Sequence, residues 1–199
     1  NVSNITKLHL MTGGSIDNQS NAFDGQMCLY VRGPGENDDS CFNKYKIDDG
    51  GTYESGFNMV IGNLKFCIGL MLDLLKDVYE EGDKLYLFGF SRGASAARIF
   101  ASKISDEGIT KKDGKKVISP PIEFLGCFDT VAILGVGGMM RALYRSYAGG
   151  IPYSSRIGEN GTIACTVKDA LHLVGLDDNR WARAVTLMGQ EDKVFELWF

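Results

Sequence analysis

A glycine-flanked serine between a predicted strand and a predicted helix constrains this chain more than any other feature. The apolar run Leu85–Phe88 predicts a short buried strand, and residues 92–104 predict a helix with small residues on its first turns. Between them stands Gly89-Phe90-Ser91-Arg92-Gly93, the Gly-x-Ser-x-Gly pattern of a nucleophile elbow. So sharp a turn favours glycine on each side of the serine. The pattern predicts that the Ser91 hydroxyl projects from a sheet edge toward the first amides of a helix.

Strands and helices alternate along the rest of the chain. Further strands are predicted at residues 27–31, 122–128 and 194–199, and further helices at 1–11, 56–81 and 166–176. Polar loops are predicted at 12–25 and 106–120, and a glycine-rich loop with a helical piece at 139–147. This order predicts the α/β class, with a doubly wound, mainly parallel sheet and helices on both faces. A single domain is expected over residues 1–199.

Composition places the chain among globular proteins and argues against several classes of function. Its 199 residues are enough for one core, and its apolar and charged fractions are 44% and 23%. The net charge is −4 with dispersed basic residues, so nucleic-acid binding is not expected. None of the cysteines forms a Cys-x-x-Cys pair, so no metal site is expected. The lysines around Asp113-Gly114 suggest a solvated turn, with contact to an anionic surface as the alternative.

Two polar side chains follow the ends of predicted strands. Ser91 follows the strand before the elbow, and Asp129 directly follows the strand at 122–128. Carboxyl ends of parallel strands share one edge of the sheet, so the two side chains are expected to meet there. A serine hydroxyl becomes a nucleophile through a base, usually a histidine that a carboxylate orients. Ser91 is the candidate nucleophile, Asp129 the candidate acid, and the backbone amide of Arg92 a candidate oxyanion donor.

The identity of the base stays open, because the chain has only two histidines. His172 follows the serine and the acid, as the usual order of this architecture requires. It lies in the apolar segment Ala170–Val174, however, which suits a packed structural residue of a helix. His9 precedes the serine and fits the order less well.

Each candidate also has a structural interpretation. The two elbow glycines are compatible with tight packing of a helix on a strand, with Ser91 as the helix N-cap. Asp129-Thr130 is compatible with a cap or a turn. Arg92 and Arg98 suit either an anionic head group or a structural ion pair.

At these residues the chain resembles the DUF2235 family of α/β-hydrolases, which includes the catalytic domain of Tle1-type phospholipase effectors of type VI secretion. The segment Phe88–Arg98 is similar to the elbow of that family. Phe128-Asp129-Thr130-Val131 resembles its Trp-Asp-Thr-Val block, and further similarities follow in the same order at 30–35, 170–180 and 195–199. The resemblance covers most of the chain.

The resemblance implies an α/β-hydrolase-like fold that is incomplete at both ends. The family opens with a strand that carries Phe-Asp-Gly-Thr, and this chain begins just after it. The family also places a His-Ser-Asp-x-Gly-Gly-Gly segment past the strand that ends here at Phe199. The catalytic histidine is therefore expected beyond this sequence.

The function that the resemblance implies is serine-dependent hydrolysis of lipid or phospholipid acyl esters. Contact with a membrane surface and an immunity or delivery protein as partner are implied with it, as is a bacterial cytoplasmic location before secretion without a signal peptide. No metal or organic cofactor is expected, because side chains carry out acyl transfer. Two alternatives stay open: a catalytically inactive binding module with a hydrolase-like sheet, and an esterase for small or carbohydrate-linked esters.

Overall fold

The computed structural model describes residues 3–15, 20–23, 25–31, 56–131, 162–176, 185–189 and 191–199, with the backbone alone for 20–23 and 56–66. Its helices are α1 (Asn4–Met11), α2 (Gly56–Val78) and α3 (Arg92–Glu107). Two antiparallel hairpins are formed by β1 (Ser20–Phe23) with β2 (Gln26–Leu29), and by β4 (Ile109–Thr110) with β5 (Lys116–Val117). The longer strands are β3 (Leu85–Phe90), β6 (Ile122–Phe128), β7 (Val167–Val174) and β8 (Val194–Trp198).

The longer strands form one parallel sheet in the order β3-β6-β7-β8. Each strand is added beside the one before it, so the carboxyl ends of all four strands lie along the same edge. Helices flank the sheet, and the predicted α/β class is confirmed. Ser91 and Asp129 each follow a strand directly, at the carboxyl edge where ligands bind in parallel sheets.

Helix α3 packs against β3 and β6 and supplies much of the core. Its buried residues recur at helical spacing and include Ala94, Ile99 and Ile104. They meet Leu125 of β6 and Ala170 of β7, which have no exposed surface. The helix extends three residues beyond the predicted end and stops at Gly108, whose φ of 73° is one that glycine adopts freely.

The helix predicted at 166–176 is wrong, because this segment is strand β7. β7 lies in the interior of the sheet, between β6 and β8. A strand with parallel neighbours on both sides reads as a nearly continuous apolar run. Such a run is indistinguishable from a buried helix by periodicity, and the tertiary context decides between them.

Two segments predicted to be polar loops contain short strands. Within residues 12–25 the structure has β1, and within 106–120 it has β4 and β5. The second hairpin turns at Asp113-Gly114, where Gly114 has a φ of 81°. Lys112 of this hairpin forms an ion pair with Asp77 of α2, and Lys115 forms one with Glu81. The exposed lysines of this predicted turn therefore also connect the hairpin to the end of α2.

Some predictions fall on residues outside the described ranges. They are the helical piece at 139–147 and the parts of the family similarities that lie at 32–35 and 177–180. In the part of the chain that the structure describes, none of the helices has the length and apolar character needed to span a bilayer.

Candidate active site

The backbone at Ser91 forms a strained turn between β3 and α3. Its φ of 54° and ψ of −119° lie in a region that L residues rarely adopt. Strand β3 continues to Phe90, and the Ser91 amide then donates a 2.8 Å hydrogen bond to the Phe128 carbonyl at the end of β6. Ser91 stands at the N-cap position of α3, yet its side chain makes no capping bond. Ser91 is thus a half-buried residue at the start of a helix, and its side chain does not cap the helix, which is the usual role of a serine at this position.

The two elbow glycines have different roles. A Cβ at Gly89 would lie 2.4 Å from the Gly93 carbonyl oxygen and 2.6 Å from the Ala94 Cα. Both are backbone atoms, so β3 and α3 approach this closely only because residue 89 is glycine. A Cβ at Gly93 would meet nothing within 4 Å. The prediction that the sharp turn has no room for a side chain is therefore confirmed at Gly89. It is wrong at Gly93, where a Cβ would enter open space.

Asp129 lies next to the elbow, at the end of β6. The Phe128 carbonyl accepts from the Ser91 amide, and the Val131 amide donates to the Ser91 carbonyl at 3.3 Å. Asp129 is thus bracketed by two backbone bonds to Ser91, and its own φ of 45° is in the left-handed region. Its Oδ1 accepts a 2.7 Å bond from the Gly175 amide, just past β7. Within the described residues, Oδ1 accepts this hydrogen bond and Oδ2 accepts none.

His172 lies within β7, behind this edge, and is fully buried. Its Nε2 accepts a 3.1 Å bond from the Thr130 amide, and its Nδ1 bonds Glu196 Oε1 at 2.9 Å. Burial is the main influence on this imidazole and lowers its pKa below the ordinary 6.5. Both ring nitrogens are occupied, so this geometry does not present His172 to Ser91 as a base.

The second histidine is engaged elsewhere. His9 bonds the Ser15 carbonyl through Nε2 at 3.1 Å, and its ring stacks on Tyr30 with centroids 4.9 Å apart. Both histidines of the chain are therefore engaged in structural hydrogen bonds.

Sequence reasoning missed two residues of this region. Glu196 holds the His172 ring, and Gly175 supplies the amide to Asp129. A signal for Glu196 exists in the sequence, because it is a carboxylate inside the otherwise apolar strand Val194–Trp198. No local pattern marks Gly175, since its part is a backbone bond across 46 residues.

Two of the described cysteines are poor alternatives to Ser91 as a nucleophile. Burial raises the pKa of Cys127 to about 12 and that of Cys67 to about 11, so both thiols stay protonated and unreactive. Across the described ranges, no group of three or more His, Cys, Asp or Glu residues is arranged to hold a metal ion.

Comparison with known proteins identifies the family of the chain that carries this elbow. The family model for the catalytic domain of Tle1-like phospholipase effectors of type VI secretion matches residues 1–121. The chain belongs to this family. The match to the Tle1-like catalytic domain includes the elbow with Ser91 and ends before Asp129.

Other comparisons add little to this assignment. No curated protein matches the Tle1-like chain. A crystal structure of an uncharacterized protein from Pseudomonas aeruginosa aligns with a TM-score of 0.37 and 21% identity, over 72% of this chain and 22% of that one. The chain thus spans about a fifth of the length of that protein.

Proposed function

We propose that this chain carries the nucleophile and the acid of a serine hydrolase that cleaves carboxylic esters of lipids or phospholipids. The observation that carries the proposal is the backbone of Ser91. A non-glycine residue at a φ of 54° costs about 1–3 kcal/mol, and folds retain such strain mainly where function depends on it. The Ser91 side chain is half-buried and makes no capping bond, so helix capping does not account for the strain.

The proposed reaction is acyl transfer through the serine. Ser91 Oγ attacks the ester carbonyl, its proton passes to an imidazole, and a bond forms between Oγ and the acyl carbon. The ester C–O bond breaks, the leaving alcohol takes the proton, and water then hydrolyses the acyl-enzyme in the same way. The Arg92 amide, in the first turn of α3, is the proposed donor to the oxyanion.

Asp129 is the proposed partner of the imidazole. Its Oδ1 is fixed by the amide of Gly175, so the carboxylate lies at the end of β7. Because His9 and His172 are both engaged, we propose that the base is the histidine that the family carries after its last strand. The Asp129 Oδ2 would accept its N–H and hold the ring toward Ser91.

A fluorophosphonate probe tests the serine directly. The full-length protein, with any segment that follows Phe199 included, should be labelled at Ser91, and the peptide should be identified by mass spectrometry. Ser91→Ala should abolish labelling and lower ester hydrolysis by at least about a thousandfold. Ser105→Ala, a change on the same helix but at its far end, should have little effect on labelling. Absence of labelling in the folded full-length protein would favour the inactive binding module.

A substrate panel tests the lipid assignment separately. Phospholipid in mixed micelles should be cleaved faster than short water-soluble esters and acetylated sugars. A reversed order, with Ser91 labelled, would leave the serine mechanism standing and replace the lipid by a small or carbohydrate-linked ester. From family membership we also propose contact with a membrane surface and a cognate immunity or delivery protein, which vesicle flotation and co-purification respectively would test.

A further inference from the structure

Residues 129–131, here called the acid loop, are held by hydrogen bonds from four parts of the fold. The loop carries the proposed acid Asp129, whose left-handed φ of 45° is uncommon for a residue other than glycine and carries a conformational cost. Its backbone bonds run from the Asp129 amide to Leu173, from the Thr130 amide to His172, from Thr186 to the Thr130 carbonyl, from the Val131 amide to Ser91, and from Ser95 Oγ to the Val131 carbonyl.

Among the residues that the structure describes, His172 supplies the one side-chain acceptor for an amide of this loop. Because its Nε2 accepts from the Thr130 amide at 3.1 Å, that nitrogen carries no proton. The proton of the neutral ring is then on Nδ1, which donates to Glu196 Oε1 at 2.9 Å. Glu196 also accepts from the Met188 amide at 2.8 Å, so the carboxylate that fixes the ring is itself fixed.

Through Thr186, the acid loop is also tied to Arg98, which together with His172 and Glu196 forms a buried cluster. The Thr186 amide donates to the Thr130 carbonyl at 2.7 Å, and the Thr186 carbonyl accepts from Arg98 of α3 at 3.0 Å. Arg98 is 3% exposed, and Glu196 is the nearby carboxylate that favours its charge. The cluster thus joins α3, β7 and β8 to both backbone polar groups of Thr130, the residue that follows Asp129.

We infer that His172 is a positioning residue, which fixes the Asp129 carboxylate relative to Ser91 by holding the Thr130 amide. The inference rests on the proposed function. A ring fully buried and bonded at both nitrogens makes no contact with a substrate, so its effect on catalysis passes through the loop. Displacement of a catalytic group by about 1 Å can lower a rate by about a hundredfold, and the strained Asp129 backbone gives the loop a reason to relax once Thr130 is released.

Two substitutions separate the two bonds of the ring. The amide oxygen of a glutamine falls near the position of Nε2, and the amide nitrogen of an asparagine falls near Nδ1. His172→Gln therefore keeps an acceptor for Thr130, whereas His172→Asn keeps only a donor to Glu196. In the full-length protein, His172→Asn should lower kcat by about 10- to 100-fold with little change in KM, and His172→Gln should stay within about threefold of wild type.

The controls distinguish this inference from the proposed function. Melting temperatures of both variants should be measured, and activity should be assayed well below them. Equal kcat losses in the two variants, or losses that follow the melting temperature alone, would reduce His172 to a structural residue and overturn the inference. If Ser91→Ala abolishes hydrolysis while both His172 variants match wild type, only the positioning role fails. If Ser91→Ala keeps full activity, the proposed function fails.

A measurement on the wild-type protein covers the case in which the variants do not fold. Nitrogen-15 NMR of the imidazole should show a protonated Nδ1 and an unprotonated Nε2 at neutral pH, which is the pattern that the bonds to Glu196 and Thr130 require. The opposite tautomer, or a doubly protonated ring, would contradict the proposed bond to Thr130.

Discussion

The elbow around Ser91 and the buried cluster around His172 lie at the same end of one sheet and are built in opposite ways. At the elbow, Ser91 and Asp129 have positive φ angles of 54° and 45°, both side chains are half-buried, and the serine hydroxyl makes no capping bond. In the cluster, the His172 ring is fully buried and bonded at both nitrogens, and Glu196 holds the ring and a backbone amide together.

The difference shows how a residue type can mislead about its role. Histidine is the usual base, yet here both of its nitrogens serve structure. Serine is a common helix cap, yet here it does not cap. The elbow, which we propose to be reactive, has a strained backbone and a serine that does not cap its helix. The His172 cluster, which we propose to hold the elbow in place, has a ring whose two nitrogens are both bonded.

The largest effect is expected at Asp129, where the two regions meet. Asp129→Asn should lower kcat about ten-thousandfold, because an amide does not stabilise the imidazolium that forms. Stability should change little, since asparagine tolerates the left-handed region and its oxygen can still accept from Gly175. Kinetics and thermal unfolding of the full-length protein test both statements. Asp169→Asn, an exposed change on β7, is the control. Full activity in Asp129→Asn would show that Asp129 is a structural residue and not the catalytic acid.

The next effect is on stability and compares the two glycines of the elbow. Gly89→Ala should lower the free energy of unfolding by about 3 kcal/mol, because the new Cβ meets backbone atoms of α3 that do not give way. Gly93→Ala should change it by less than about 0.5 kcal/mol, since its Cβ enters open space. Urea unfolding measures both. Similar losses in the two variants would mean that close approach of β3 and α3 does not define the turn.

A smaller effect tests the strain at residue 91. Ser91→Gly and Ser91→Ala should both be inactive, but the glycine variant should be more stable than the alanine variant by about 1 kcal/mol. The reason is that glycine adopts a φ of 54° without the cost that any Cβ brings. The comparison uses chemical unfolding of both variants. Equal stability of the two variants would show that the backbone at residue 91 is not strained, and the contrast between the elbow and the cluster would then fail.

The smallest effect concerns pH and the cluster. Burial lowers the pKa of His172 in the folded chain, with Arg98 acting in the same direction and Glu196 and Asp129 opposing it. Below the ordinary value of 6.5, the unfolded chain therefore binds a proton that the folded chain does not, and stability falls as the pH falls. The melting temperature should decline from pH 7 to pH 5 more in wild type than in His172→Gln. Parallel declines would show that another group dominates.

Local sequence was enough to predict the elbow and the parallel strands next to it. The run Leu85–Phe88, the flanking glycines and the small residues after Ser91 agree on one local geometry, and Ile122–Phe128 forms a strand with the predicted bounds. The order of strands and helices predicted the α/β class, because parallel neighbours require crossovers of this kind. These features depend on steric effects between neighbouring residues and on the periodicity of apolar residues, and both can be determined from the sequence.

The tertiary structure alone decided what the polar residues near the elbow do. The segment around His172 became a strand because it has a parallel neighbour on each side, and its apolar run carries no sign of that. The bonds of His172 to Thr130 and Glu196 span 42 and 24 residues, and the bond of Gly175 to Asp129 spans 46. A hydrogen bond depends on where two groups arrive in space. The sequence therefore determines which chemical group each residue carries. The packing of strands that are far apart along the chain determines which partner that group bonds.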